Sequence, residues 1–325
     1  MSGPLRFVAL RLLQVAPVVL AIGALNFVLL KMAPGDAADV LAGQMGHATP
    51  ELMAELRREF GLDRPFHEQF GIYLLKLTTF DLGRSHLQQL PVIDLILDRL
   101  PATLILMASA IAVAMAVGVA LGVSAARRQG TWLDGAISVA ALIVYATPAF
   151  WLGLMLIVLF SIHLDLVPSG GMARIGAGLT GLAYARDVAH HLILPAVTLG
   201  LFYVAIYARL MRASMLEVYR LDYIATARAK GLSEGRIAWT HAFRNALLPV
   251  VTLAGVQIGH ILGGSILVET VFAWPGLGRL VFDALLQRDL NLLLGILFVS
   301  SVVVVLASLT VDLIYGMLDP RISRE

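Results

Sequence analysis

From Leu12 to Leu30 the chain is predominantly apolar, over about the 20 residues that an α-helix needs to cross a bilayer. Five more such stretches follow, at roughly 101 to 125, 135 to 162, 192 to 210, 249 to 270 and 293 to 316. In hydrocarbon each backbone N–H and C=O must find its partner within the protein, so runs of this length fold as helices. The pattern predicts an all-α integral membrane protein with six transmembrane helices. Charged residues make up only 14% of the chain, against about 25% in a soluble domain.

The first apolar run is longer than the core of a secretory signal, and no A-x-A-like cleavage site follows it, so we read it as an uncleaved helix. Arginine and lysine near short loops set orientation. Arg127 and Arg128 follow the second span. Between Arg209 and Arg244 lie Arg212, Arg220, Arg228, Lys230 and Arg236, against Glu217, Asp222 and Glu234. The loops at 165–191 and 271–292 balance Arg174 and Arg186 with Asp165 and Asp187, and Arg279 and Arg288 with Asp283 and Asp289. Both termini are therefore expected in the cytoplasm. Residues 1–32 make the N-terminus and first helix, 33–98 an external segment, 99–318 a core of five helices and 319–325 a tail. Within the external segment, Thr49 as N-cap, Pro50 at the first helical position and Gly61 as a stop predict a short amphipathic helix.

Several chemistries are missing. Without cysteine there is no disulfide, thiolate ligand or thiol nucleophile. None of Lys31, Lys76 and Lys230 follows a glycine as in a phosphate-binding loop, so no nucleotide is held that way. The sequence "HEQFG" at His67 lacks the second histidine of a zinc protease. No G-x-S-x-G elbow completes the glycines before Ser265. His190 and His191, adjacent on a helix, point in different directions, and no ligand set forms around them. The chain is read as a non-enzyme.

One long polar stretch interrupts the greasy chain: "DYIATARAKGLSEGRIAWTHAFRNALLP" at residues 222–249. Leu221, Ile224 and Ala225 are expected on one face of a short amphipathic helix, with Arg228 and Lys230 near its C-terminus, where cations complement the dipole. Gly231 is expected to end this helix in the left-handed conformation, and Ser233 to cap a second one running through "EGRIAWTHAFRN", with Pro249 starting the fifth span. The small residues Ala225, Thr226, Ala227 and Ala229 would let another surface approach closely. Composition leaves two readings open, a basic elbow on anionic lipid and a protein-docking lever.

The residues "ATARAKGL" at 225–232 resemble the cytoplasmic E-A-A-x-x-x-G loop of ATP-binding-cassette importer permeases, with Ala225 at the Glu position and Thr226 at the second. Further stretches carry the resemblance to the permeases of dipeptide, oligopeptide and nickel importers: "HAFRNALLPVVT" at 241–252, "FAWPGLGRL" at 272–280, "VDLIYGMLDPRI" at 311–322, "APGD" at 33–36, "FGLDRP" at 60–65 and "DLGRS" at 81–85. The resemblance implies the type I importer permease fold and a half-pore for di- or oligopeptides that pairs with a second permease. Two ATPase subunits lie below, where ATP and Mg would bind, and a substrate-binding protein docks from outside. Nickel chelates and glutathione are the alternative cargoes, and an ion-coupled secondary transporter is the rival class. The resemblance also assigns ATPase coupling to a loop at about 211–248, around Ala225, Thr226, Ala227, Lys230, Gly231, Leu232, Ser233 and Arg236.

Inside the membrane, Gly255, Gly259 and Gly263 recur every four residues, a small-residue stripe that suits either a permease seam or packing within the chain. Gln257 and His260 flank it as polar candidates for the pathway. Glu269 and Asp312 lie near span ends, where each can reach the interface, and a structural ion pair, for example Asp312 with a cytoplasmic arginine, is expected over proton coupling. Trp274, Pro275 and Gly276 form a turn that shapes an external vestibule or anchors Trp274 at the membrane interface.

Overall fold

The computed structural model describes residues 3–32, 38–39, 49–59, 61–85 and 87–318. Its helices are α1 (Gly3–Met32), α2 (Pro50–Glu59), α3 (Phe66–Thr78), α4 (Val92–Arg127), α5 (Trp132–Ala146), α6 (Ala149–Leu156), α7 (Gly181–Val218), α8 (Asp222–Ala229), α9 (Phe243–Val271), α10 (Leu277–Leu286) and α11 (Leu290–Leu318). Each of the six expected apolar segments lies in a helix or, for the third, in a helix pair. Among the described residues α4, α7 and Leu290–Thr310 of α11 are long and apolar enough to cross a membrane, and α5 with α6 and the helical residues up to His163 makes a fourth if taken as one span. Helix α4 extends past its apolar run at its N-terminal end and α7 at both ends, because apolarity marks only the part that meets lipid.

The expected kink in the third span is a break of 105°. Thr147 is extended (φ −82°, ψ 129°) and ends α5, while Pro148 (φ −58°) starts α6. Proline disfavours the helical conformation in the residue before it and has no N–H to continue the ladder. Beyond α6 the helix loosens into a π-helical stretch, Ile157–His163.

The described residues form two compact units, one spanning Leu100–Arg279 and the other built from the residues on either side. In the flanking unit the backbone N–H of Leu52 donates to Thr49 Oγ1 (3.3 Å), and Gly61 has φ +64°, so α2 starts and stops where Thr49 and Gly61 predict. Phe27 of α1 is buried among the rings of Phe66, Phe70 and Tyr73. A Cβ on Gly23 would lie 2.8 Å from Leu77 Cδ1, so α1 and α3 approach closely there. The "DLGRS" motif acquires a role too: Ser85 is fully buried and its hydroxyl donates to Asp289, whose other carboxylate oxygen accepts from the N–H of Leu292 at the start of α11 (3.2 Å).

The larger unit is organised around α7, whose Tyr207, Met211 and Met215 are fully buried. Helix α4 reaches it through Gly118 and Gly122. A Cβ at Gly118 would sit 2.9 Å from Tyr207 Cβ, and one at Gly122 would sit 2.6 Å from both the Ala208 carbonyl oxygen and Met211 Cβ. Two glycines one turn apart remove the side chains that would hold the helix backbones apart. Arg212 of α7 grips Asp134 of α5 with two parallel bonds (2.7 and 2.8 Å), and the N–H of Gly130 adds a third (3.0 Å). Asp134 is 5% exposed, and this fork geometry satisfies both carboxylate oxygens of a buried charge.

Candidate functional site

The polar interruption folds as an elbow. Helix α8 buries Ile224 and Ala227, three residues apart and so on one face, and exposes Ala225, Thr226 and Ala229. This corrects the expected phase: Leu221 and Ala225 are exposed, and Ala227 belongs to the core rather than to the outer surface. Helix α8 closes with two crossed bonds, Gly231 N–H to the Arg228 carbonyl (2.9 Å) and Leu232 N–H to the Ala227 carbonyl (3.3 Å). They form a Schellman turn, which requires a left-handed residue after the cap. Gly231 takes φ +77°, and a Cβ there would meet nothing within 4 Å, so the constraint is backbone conformation and not space.

After the turn, Ser233 accepts a bond from the N–H of Arg236 (3.4 Å), as predicted for a cap. The second arm, Glu234–Arg236, passes through the π-helical stretch Ile237–Ala242 directly into α9. Pro249 therefore lies inside the helix, contrary to its expected place at the start of a span. Ile237, Ala238 and Ala242 are fully buried along this arm. The arm and α9 thus form one continuous helical stretch from Glu234 to Val271.

Two polar contacts brace the arms. Arg228 forks onto Glu234 (2.8 and 3.3 Å), and its guanidinium lies 5.8 Å from the Tyr219 ring centre. Their hydrogen bond holds the Glu234 carboxyl below its ordinary range and raises the Arg228 guanidinium above its own. The Tyr223 hydroxyl accepts from Asn245 Nδ2 (2.8 Å) and donates to the His241 carbonyl (3.3 Å). Lys230, Ser233 and Arg236 remain exposed and Leu232 is half-buried, so the outer rim offers small residues beside cations.

Of the residues expected along a pathway, Gly255 is buried, Gln257 is half-buried and Gly263 is exposed, with open space where a Cβ would go. The surroundings of Gly259, the His260 side chain and the Asp312 side chain lie outside the described residues. The turn at Trp274, Pro275 and Gly276 corrects two expectations. Trp274 is fully buried and its Nε1–H donates to the Ala102 carbonyl (2.9 Å), so it is no interfacial anchor. Glu269 is also fully buried: it accepts from the Thr103 hydroxyl (2.8 Å) and the Arg279 N–H (3.0 Å), while Thr103 Oγ1 accepts from the Leu277 N–H (2.7 Å). A Cβ on Gly276 would lie 2.4 Å from Glu269 Oε2, which explains a glycine there. Sequence reasoning missed Thr103, Asp134 and the Gly118 and Gly122 pair, although "GVALG" carries the small-residue spacing of a helix seam. His190 and His191 are each pinned by a carbonyl of this chain, those of Leu166 (3.0 Å) and Asp187 (2.8 Å).

Residues 118–324 match the family model of the binding-protein-dependent transport system inner membrane component, and residues 4–107 match the N-terminal model of such membrane components. The dipeptide transport system permease protein DppB of Escherichia coli K12 is 41% identical over 338 aligned residues, covering 99% of each chain. The di/tripeptide transport system permease protein DppB of Pseudomonas aeruginosa UCBPP-PA14 is 37% identical over 335, again with 99% of each covered. Among solved structures, an inward-facing MetNI methionine ABC transporter chain aligns with a TM-score of 0.56 at 19% identity, covering 69% of this chain and 96% of that one. The fold is that of a type I ABC importer permease, and the chain belongs to the binding-protein-dependent transport system inner membrane component family.

Proposed function

We propose that this chain is one half of the membrane pore of an ATP-driven importer that carries di- and oligopeptides inward by alternating access. A second, similar permease completes the pore, two ATPase subunits bind ATP and Mg beneath it, and an external binding protein delivers the peptide. Both termini face the cytoplasm in this reading, on the side of the basic elbow. The observation that carries it is the elbow itself: an exposed helix whose Schellman turn joins it to a continuous arm leading into α9. Such a part transmits displacement without performing chemistry. The outer face at Ala225, Thr226, Ala229, Lys230, Gly231 and Arg236 is the docking surface for an ATPase groove, with the exposed cations meeting acids there. End-to-end similarity to permeases named for dipeptides supports peptides over nickel chelates or glutathione.

The test is uptake of labelled dialanine by a strain lacking its own peptide importers and expressing the complete transporter. ATP-dependent uptake that disappears when either ATPase is removed is expected. Uptake that persists without ATPase subunits, or an elbow that crosslinks only to lipid in the assembled complex, would refute it.

A further inference from the structure

Residues 174–186, which run from a loop into the first turns of α7, are all exposed. The segment is nonetheless held at both ends. Before it, the Gly171 N–H donates to the Phe272 carbonyl (2.8 Å). After it, buried Asp187 accepts from the Arg174 N–H (2.7 Å) and pairs with the Arg174 guanidinium (3.3 Å). Four large apolar side chains stand in this stretch: Ile175 is fully exposed, and Leu179, Leu182 and Tyr184 are exposed too.

Lipid does not cover them. Helix α7 has 38 residues, where a bilayer needs about 20, and its apolar run starts at Leu192. Leu182, ten residues earlier, stands about 15 Å along the axis beyond that start, past a headgroup layer of about 5–7 Å. The other end of α7 leads into the elbow, so on a spanning helix the exposed end lies on the opposite membrane face. That face is open to a soluble partner other than the ATPase. A neighbour in the membrane plane would cover one side of this helix end, whereas a partner arriving along its axis meets the whole tip.

Charge gives the partner's chemistry. No acid occurs from Ala173 to Arg186. Arg174 is matched by Asp187, but among the described residues no carboxylate lies within ion-pair distance of Arg186. Between loop and helix opens a cleft of about 380 Å³, lined by Arg174, Leu179, Ala183, Arg186, Asp187 and His190. We infer that this ridge is a docking surface for the external binding protein, whose acidic side chain enters the cleft against Arg186 while its apolar surface covers Ile175, Leu182 and Tyr184. The inference rests on the function proposed above and adds to it a place and a chemistry of contact.

The probe is purified, dialanine-loaded binding protein, titrated onto the complete transporter in nanodiscs with ATP hydrolysis as the readout. Arg186→Glu, which sets a like charge against the partner's acid, is expected to raise the half-saturating concentration about tenfold. The difference narrows as salt screens the pair, and saturating binding protein restores the rate. Leu182→Ser raises the half-saturating concentration as well, and Arg186→Lys stays near wild type. Because the chain has no cysteine, I175C carries a photoreactive maleimide at a single place, and illumination is expected to join this chain to the binding protein. Wild-type half-saturation in Arg186→Glu overturns the surface, and so does capture of the second permease in place of the binding protein. A wild-type complex whose ATP hydrolysis ignores the binding protein overturns the proposed function together with the surface.

Discussion

Arg228 and Glu234 face each other across the Gly231 turn, joined by two bonds of 2.8 and 3.3 Å, one from each arm of the elbow. The pair is a brace that holds the angle between α8 and the helical arm leading into α9. Both side chains are substantially exposed, at 44% and 64%, so its contribution to global stability is small. Its effect is on local geometry.

That brace is pH-sensitive in one direction. Glu234 is held below its ordinary range by the Arg228 bond, so its stabilisation is complete above the unfolded carboxylate value and disappears as pH falls through the lowered one. Raising the pH within the physiological range leaves Arg228 charged. Protection factors of the amides at residues 231–236 in the intact complex, the intrinsic exchange rate at each pH divided out, are expected to be high and flat at neutral pH and to fall as acidity reaches the carboxylate range. Glu234→Gln should show the lower protection at every pH.

Gly231 tests coupling. Valine at φ +77° costs roughly 1–2 kcal/mol for a left-handed L-residue, and more for a β-branched one. Gly231→Val is expected to leave the protein inserted and assembled but to hydrolyse ATP with little uptake. Gly231→Asn, which tolerates that conformation and meets no neighbour, should retain most activity. Paired measurements of ATPase rate and dialanine uptake separate the two.

Gly122 tests the seam. Its virtual Cβ falls 2.6 Å from the Ala208 carbonyl oxygen, a backbone atom that cannot step aside. Gly122→Leu should cost about 1–3 kcal/mol or more from overpacking, seen as lost accumulation and a lower melting temperature in detergent. Gly71→Ala, with nothing within 4 Å of the added carbon, serves as the neutral control.

Thr103→Val keeps the shape at the turn around Trp274 but removes a donor to Glu269 and an acceptor for Leu277 N–H. Two buried polar groups lose a partner, at about 1–3 kcal/mol each. A fall in melting temperature of the complex is expected, with Thr103→Ser close to wild type.

Much of this chain can be read from its sequence because a bilayer acts on each segment separately. An apolar run of about 20 residues has to be a helix wherever it stands. Glycine after a helical turn closes with a left-handed residue on local sterics alone, which is why Gly231, Ser233, Thr49 and Gly61 fall where their neighbours predict. Pro148 announced a disturbance, yet the size of the break depends on what packs around α5 and α6. The inward turn of Ala227, the burial of Trp274 and the closed ring of bonds between Thr103, Glu269 and the loop after it were not legible. They join residues as far apart as 174 positions, and no periodicity encodes which distant side chain will arrive. The sequence by itself determined a helical membrane protein with a basic elbow. Which face of that elbow is outward, and that Arg212 of one helix grips Asp134 of another, only the tertiary structure decided, since both depend on contacts between helices and not along them.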